Sequence, residues 1–112
     1  METLSQKQRR FLKMVGSLIA KIEDLCYEAT LGDAFRDPRL HGELGVKAGY
    51  EAAKSCHKIR LAIDLNLFKD GKYLSNTFDY KEVGEWWEPI GGTWGGRFND
   101  GNHFSLEHEG LK

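Results

Sequence analysis

The clearest hydrophobic pattern in the first third of the chain is helical. Apolar residues recur at alternating steps of four and three, the spacing of one face of an amphipathic α-helix of about five turns. Residues 5–8 fit a capping box, in which a serine side chain and a glutamine three positions later satisfy each other's backbone amides. The apolar stripe consists of Phe11, Val15, Leu18, Ile22 and Leu25, widened by Leu12 and Ile19.

A period-two pattern over residues 60–68 predicts the strongest β-strand. One face carries branched apolar side chains and the other carries small or polar ones, as expected for a strand with one buried face. The apolar face is Leu61, Ile63, Leu65 and Leu67, and the opposite face is Ala62, Asp64 and Asn66. Asp70 and Gly71 then supply the positive φ angles of a tight hairpin turn, so that a return strand begins at Tyr73.

A second helix is predicted from about Asp79 to Pro89. Asp79 can cap it, with Glu82 three residues on, and Phe78 can pack against Val83 across the first turn. Its inward-facing residues would be Val83, Trp86, Trp87 and Ile90.

Weaker patterns predict the remaining segments. Residues 26–35 alternate loosely and indicate a short strand, and residues 103–106 indicate a last one. Residues 38–54 hold several glycines and little periodicity, so they are either a functional loop or a segment whose elements the pattern does not reveal, and a short helix over 50–54 would shorten it. Residues 91–96 are predicted to be a flexible turn. These elements predict a single α+β domain over residues 1–112, an antiparallel sheet with flanking helices.

Composition is consistent with one globular domain and excludes some classes of function. The 112 residues are the size of one ordinary domain, and 40% of them are hydrophobic. With 16 basic and 17 acidic residues, a nucleic-acid binder is not expected. There is neither a membrane-spanning apolar run nor a secretory signal, so we expect synthesis and folding in a cytoplasm. Two cysteines in that compartment indicate free thiols.

Asp64 is the first residue that suggests chemistry. It lies in the middle of the strongest predicted strand, on a face that carries small and polar neighbours and could line a cleft. The alternative is an exposed carboxylate on the outer face of the sheet. His57 precedes it by seven residues, which on a straight strand would place the two about 23 Å apart. They can share a metal ion only if the chain turns between them.

His103 and Asp100 form the second such group. By the alternation of its strand, His103 faces the same kind of polar cleft as Asp64, while its apolar neighbours enter the core. Two histidines and a carboxylate are ligands of a catalytic zinc site, and a further carboxylate can accept a proton from water. Spacing alone leaves open whether these residues meet.

Two motifs in this order resemble a known peptidase family. Residues 55–64, Ser-Cys-His-Lys-Ile-Arg-Leu-Ala-Ile-Asp, are similar to the SxHxxGxAxD motif of the zinc D-Ala-D-Ala carboxypeptidases. That family includes phage L-alanyl-D-glutamate endolysins and shares its metal core with hedgehog domains. Residues 91–104 resemble its second signature, a tryptophan followed by an acidic residue and, three positions on, a histidine. Arg60 replaces the glycine of the first motif, so we expect a different local backbone shape there.

The resemblance implies a role for each matching residue. His57, Asp64 and His103 would bind Zn²⁺, and Asp100 would be the catalytic base. Arg36 matches an arginine that holds a substrate carboxylate through two parallel hydrogen bonds. Two further substrate contacts are expected, from Ser55 in the same pocket and from Trp94 as a wall of the cleft. Cys56 should point away from the metal.

The implied function is hydrolysis of peptidoglycan stem peptides, with L-alanyl-D-glutamate endopeptidase favoured over D-Ala-D-Ala carboxypeptidase. We expect a monomeric phage endolysin that is made in the host cytoplasm and reaches the cell wall after release, without a membrane span and without a nucleic-acid partner. A non-catalytic zinc-bearing module that binds the cell wall, or a virion component, is the alternative.

Overall fold

The computed structural model describes residues 1–37 and 55–112. The helices are α1 (Leu4–Asp24) and α2 (Lys81–Trp87), and the strands are β1 (Glu28–Leu31), β2 (Ala62–Lys69), β3 (Lys72–Tyr73), β4 (Thr93–Trp94) and β5 (His103–Ser105). Short 3₁₀ helices cover Cys56–Ile59, Thr77–Tyr80, Glu88–Ile90 and Gly95–Phe98. The helix predicted over residues 50–54, and most of the loop predicted over 38–54, lie outside the described residues.

Within the described ranges the strands form one antiparallel sheet. Its order is β1-β2-β5-β4, and β3 pairs with the end of β2 through the predicted turn at Asp70 and Gly71. Both turn residues have positive φ angles, as the sequence predicted. Strand β2 is therefore central, with β1 along one edge and β5 along the other. The prediction of an α+β fold with an antiparallel sheet and flanking helices is confirmed.

The core lies between one face of the sheet and the two helices. The alternation of β2 places its apolar residues inward, and the stripe of α1 packs there as well, joined by Trp87 of α2. The largest fully buried side chains include Leu18, Leu61, Leu65, Leu67, Val83, Trp87, Phe104 and Leu106. None of the helices in the described residues is both long and apolar enough to cross a membrane.

Helix α1 begins two residues earlier than the predicted Ser5 cap implies. The capping box is formed by Thr3 and Gln6, with mutual backbone and side-chain hydrogen bonds of 2.8 and 3.1 Å, so the prediction of a Ser5 cap is wrong. The predicted pair, Ser5 and Gln8, has the same spacing and chemistry as Thr3 and Gln6, so the sequence alone does not distinguish them. In the structure Ser5 lies inside the first turn. Leu12 and Ile19 do not widen the buried stripe, since Leu12 is 71% exposed and Ile19 is also exposed.

The start of α2 also differs from the prediction. Asn76, not Asp79, is the capping residue, and it caps the preceding 3₁₀ helix by accepting a hydrogen bond from the Phe78 amide. Phe78 is 71% exposed, so it does not pack on Val83 as predicted. Glu82 is not part of a cap but accepts a hydrogen bond from the Tyr27 hydroxyl.

Three smaller predictions are corrected by packing. The strand predicted over residues 26–35 is limited to β1, and Ile90 is exposed rather than inward-facing. Residues 91–96 do not form a flexible turn throughout, because Thr93 and Trp94 pair with Ser105 and Phe104 as strand β4.

Candidate metal centre

Strands β2 and β5 place Asp64 and His103 side by side. The two are direct partners in the antiparallel register, on the face of β2 that points away from the core. Their apolar neighbours Ile63 and Phe104 are buried and fix which way each strand faces. Because side chains alternate along a strand, burying the neighbours holds Asp64 and His103 on the opposite face.

His57 reaches this pair because the chain turns sharply before β2. It lies in the 3₁₀ helix Cys56–Ile59, where Ser55 caps the first turn by accepting a hydrogen bond from the His57 amide at 3.1 Å. The Leu61 amide then donates to the Cys56 carbonyl, which closes the turn. The seven-residue spacing is therefore bridged by a fold in the chain, and His57 is 2% exposed.

Arg60 is the residue that allows this turn. Its φ and ψ angles of 59° and 34° are left-handed, a conformation that favours glycine. Arg60 takes this left-handed conformation although it carries a side chain, whereas glycine takes it without steric cost. Its guanidinium lies 4.0 Å from the centroid of the Phe35 ring, and such a cation–π contact offsets part of the backbone strain.

The three side chains converge on one point. The Nε2 atom of His57 lies 3.2 Å from Oδ1 of Asp64, and Nδ1 of His103 lies 3.4 Å from the same oxygen. One potential ligand atom from each residue lies within 4.8 Å of the others. Burial opposes ionisation of Asp64, but the polar contacts and charges of His103 and His57 outweigh it and lower the pKa of Asp64 to about 2.

The donor atoms suit a metal ion better than they suit each other. Although both imidazoles approach it, Oδ1 of Asp64 is buried and has no hydrogen-bond partner in the described residues. Nδ1 of His57 lies 2.7 Å from the Ala34 carbonyl, which can only accept, so Nδ1 carries a proton and Nε2 is turned toward Asp64. A buried carboxylate oxygen without a hydrogen-bond partner, next to an imidazole whose Nε2 is turned toward it, is the arrangement expected of a metal site.

Asp100 lies at the open side of this cluster. Its Oδ2 atom is 3.9 Å from Nδ1 of His103, and its side chain is 52% exposed. The Asp100 amide donates to the Gly95 carbonyl at 2.8 Å, which holds the preceding turn. A Cβ atom on Gly95 would lie 2.1 Å from the Asp100 carbonyl oxygen and 2.6 Å from Cβ of His103. Gly95 is thus required for the position of Asp100, a role that the sequence analysis missed.

Arg36 lies at the other side of Asp64. Its guanidinium donates from Nε to Oδ2 of Asp33 at 3.0 Å, and its Nη2 atom is 3.7 Å from Oδ2 of Asp64. The Arg36 amide donates to the His57 carbonyl, and the Asp64 amide donates to the Asp33 carbonyl. The segment after β1 thereby attaches Arg36 to the cluster. The sequence analysis missed Asp33, which pairs with Arg36 three residues on and accepts the Asp64 amide through its carbonyl.

Comparison with known proteins assigns the chain to a group of enzymes. A peptidase family described as D-alanyl-D-alanine carboxypeptidase matches residues 48–106, more than half of the chain. The chain belongs to this M15 peptidase family. The matched segment contains His57, Asp64, Asp100 and His103. No curated protein matches the sequence significantly.

As an M15 peptidase, the protein is a hydrolase of a family of zinc enzymes. Two imidazoles and one carboxylate are a ligand set of catalytic zinc, which keeps a further coordination position for water or substrate. His57, Asp64 and His103 offer this set and lie close enough to bind one ion. The resemblance described from the two motifs is therefore confirmed at the level of the family.

Three other residues considered in the sequence analysis make contacts within the fold. Trp94 is 3% exposed and donates from Nε1 to the Gly101 carbonyl, so it is part of the core and not a wall of the cleft. Gly84 and Gly96 leave room for its ring. Ser55 is buried, and its hydroxyl caps the His57 turn by accepting a hydrogen bond from the His57 amide. Cys56 points away from the metal ligands, as predicted, and donates to the Leu106 carbonyl.

Proposed function

We propose that this M15 peptidase cuts the stem peptide of bacterial peptidoglycan between L-alanine and D-glutamate, as a phage endolysin does. The observation that carries the hydrolytic part is the buried cluster of His57, Asp64 and His103 with the exposed carboxylate of Asp100 beside it. A cluster that only stabilised the fold would have no need of an accessible carboxylate next to the metal ligands.

The three ligands would hold one Zn²⁺ ion, and the chemistry that zinc supplies in such sites is polarisation of a carbonyl group and activation of water. Asp100 lies beside this ligand set, with its Oδ2 atom 3.9 Å from Nδ1 of His103, and is open to solvent. Its carboxylate accepts the proton of the attacking water and returns it to the leaving amine. His57 keeps its orientation through its hydrogen bond to the Ala34 carbonyl.

Arg36 is the proposed contact for a substrate carboxylate. It lies beside Asp64, on the edge of β2 opposite to Asp100, and its side chain is largely buried. A buried guanidinium binds a carboxylate more strongly than an exposed one because water competes less. In a stem peptide the α-carboxylate of D-glutamate is free, since the chain continues through the γ-carboxyl. Arg36 would hold that group directly after the scissile bond.

The choice of bond rests on two features. Asp100, rather than a glutamate, occupies the position of the base, which resembles the phage endopeptidases of this family. A cut after L-alanine separates the peptide from the glycan and opens the wall, as lysis after release from a host cytoplasm requires. The description of the matched family favours a second candidate, D-Ala-D-Ala carboxypeptidase, in which Arg36 would hold the terminal carboxylate of D-alanine instead.

A defined muropeptide that contains both bonds tests the proposal. The zinc-loaded protein is incubated with a disaccharide pentapeptide, and the products are identified by mass spectrometry. We expect a new D-glutamate amino terminus, zinc at about one ion per chain, and loss of turnover in His103→Ala. Free D-alanine as the sole product would establish the carboxypeptidase instead, and absence of any cleavage would favour a binding module.

A further inference from the structure

A polar cavity of about 190 Å³ lies next to Asp100 and has no part in the metal cluster. Hydroxyl, amide and carboxylate groups line it, from Tyr73, Ser75, Thr77, Asn99, Asp100 and Asn102. Its walls come from the segment after β3 and from the turn before β5, which are joined by a hydrogen bond from the Gly101 amide to the Thr77 hydroxyl. The cavity is smaller than the pockets of about 300–1,000 Å³ that hold drug-sized ligands, so it suits a part of a ligand about the size of one ring.

The cavity and Arg36 lie on opposite sides of the metal cluster. Asn102 immediately precedes His103, and its side-chain amide donates to Oδ1 of Asn66 at 3.0 Å. Asn66 shares the outer face of β2 with Asp64, so the cavity opens on the face that carries the cluster. Arg36 approaches Asp64 from the β1 edge, whereas Asn102 approaches from the β5 edge. A substrate that crosses β2 at Asp64 therefore extends toward Arg36 at one end and toward the cavity at the other.

The lining determines what kind of group can enter. It offers both donors and acceptors, and the described residues that line it include no lysine or arginine. A carboxylate would be repelled by Asp100, and an apolar side chain would leave the hydroxyl and amide groups without partners, which costs binding energy. The hydroxyls of Tyr73 and Ser75 make no hydrogen bond within the described residues and are exposed. The preferred occupant is therefore neutral and carries hydroxyl or amide groups.

We infer that this cavity binds the N-acetylmuramyl sugar to which the stem peptide is attached. The inference rests on the proposed function and deepens it, because it fixes the direction of the substrate. In an L-alanyl-D-glutamyl bond, the carboxylate follows the scissile bond and faces Arg36. On the other side of the bond, L-alanine is joined to a sugar with hydroxyl and acetamido groups. This part of the substrate faces the cavity. A D-Ala-D-Ala bond has no sugar at that distance.

Two substrates that differ only in the sugar test this inference. They are N-acetylmuramyl-L-alanyl-γ-D-glutamyl-L-lysine and N-acetyl-L-alanyl-γ-D-glutamyl-L-lysine. With the zinc-loaded wild-type protein, we expect kcat/KM to be about tenfold higher for the muramyl substrate, which is the effect of one or two hydrogen bonds. Equal values for the two substrates would overturn the inference while leaving the proposed function intact.

The double variant Tyr73→Phe, Ser75→Ala removes two hydroxyls from the cavity. Tyr73 keeps its ring contact with Phe68, and Ser75 is exposed, so the fold should be retained. We expect the preference for the muramyl substrate to fall to about twofold or less, since the lost hydrogen bonds served only the sugar. Tyr27→Phe is the matched control, because it loses a hydroxyl that bonds Glu82 outside the cavity, and it should keep the preference. An unchanged preference in the double variant would reject this site.

A binding measurement on metal-free protein tests the sugar site separately from the cleavage reaction. Amide chemical shifts are followed while N-acetylmuramyl-L-alanine methylamide, which has no free carboxylate, is added. Shifts at residues 73–77 and 99–102 that disappear in the double variant support the sugar site even if neither substrate is cut after alanine. Absence of shifts in the wild-type protein would overturn it. Failure of cleavage alone would count against the proposed function only.

Discussion

Asp100 differs from the three proposed metal ligands in being half-exposed to solvent. Its position 3.9 Å from His103 and its exposure suit a group that exchanges protons with water and substrate. We predict that Asp100→Asn retains zinc and fold but lowers kcat on the order of 10²–10⁴-fold, the usual effect of general acid–base catalysis. Zinc content and muropeptide turnover of the same preparation measure both properties. His103→Ala, in contrast, should lose the metal as well, and near-full turnover of Asp100→Asn would assign the base elsewhere.

The two cysteines differ sharply in their environment. Burial raises the pKa of the Cys56 thiol to about 11, against a smaller opposing effect of Lys7, and its Sγ donates to the Leu106 carbonyl. Cys26 is exposed. Since the thiolate is the reactive form, we predict that folded Cys26→Ser, which retains only Cys56, does not react with a disulfide reagent at pH 8. Rapid labelling of this variant, without denaturant, would contradict the buried position.

The same shift has a consequence for stability at high pH. The folded pKa of Cys56 lies above the ordinary value of 9.0, so the folded state favours the protonated thiol. This contribution is complete below pH 9 and is lost as the pH rises from 9 through 11. In urea unfolding, the free energy of unfolding of the wild-type protein should therefore decline between pH 9 and 11. The decline should be smaller for Cys56→Ala.

At the scale of single residues, the sequence predicted a site residue where a chemically reactive side chain also interrupts the polar–apolar alternation of a strand. Asp64 is conspicuous because a carboxylate interrupts a strong strand pattern, and the family motif links it to His57. Asp33 and Gly95 carry no such signal. Asp33 contributes through a contact with Arg36, and Gly95 through the close approach of Asp100 and His103. Both contacts are short-range in sequence, but they lie in irregular segments whose shape is determined only by folding.

At the scale of elements, the long periodic segments were predictable and their ends were not. The stripe of α1 and the alternation of β2 each repeat often enough to determine the element and its buried face. Strand β4 has two residues between glycines and exists because it pairs with β5. Tertiary pairing of this kind leaves no local pattern, and so residues 91–96 resembled a turn.

The caps of the two helices give a paired test at this scale. Thr3 accepts a hydrogen bond from the Gln6 amide, whereas Asp79 is exposed and takes no part in the cap of α2. We predict that Thr3→Ala lowers the free energy of unfolding by about 1 kcal/mol, the usual cost of losing such a cap. Asp79→Ala, which removes the cap that the sequence predicted, should change it by less than about 0.5 kcal/mol. The opposite order in urea unfolding would contradict the observed helix starts.

At the scale of the whole molecule, the metal cluster and the hydrophobic core occupy opposite faces of one sheet. The core joins α1, α2 and the inner face of β2, and it includes none of the three proposed ligands. The ligands come from segments that are far apart in sequence, from His57 to His103, and meet on the outer face. A bound ion would therefore cross-link the 3₁₀ turn, β2 and β5 without being required for the core to form.

This separation predicts how the protein responds to removal of zinc. A ligand that binds only the folded state raises the free energy of unfolding by RT ln(1 + [L]/Kd), about 2.7 kcal/mol at a free zinc concentration of one hundred times Kd. We expect the chelated protein to remain folded, unlike a zinc finger, and to unfold at a lower urea concentration than the zinc-loaded protein.

Two variants serve as controls. Asp100→Asn should show the same gain in the free energy of unfolding on adding zinc, because it keeps all three proposed ligands, whereas His103→Ala should show almost none. If zinc stabilises His103→Ala as much as the wild-type protein, the ion is bound elsewhere. If chelation unfolds the wild-type chain completely, the core cannot support the fold alone and the separation of the two faces is wrong.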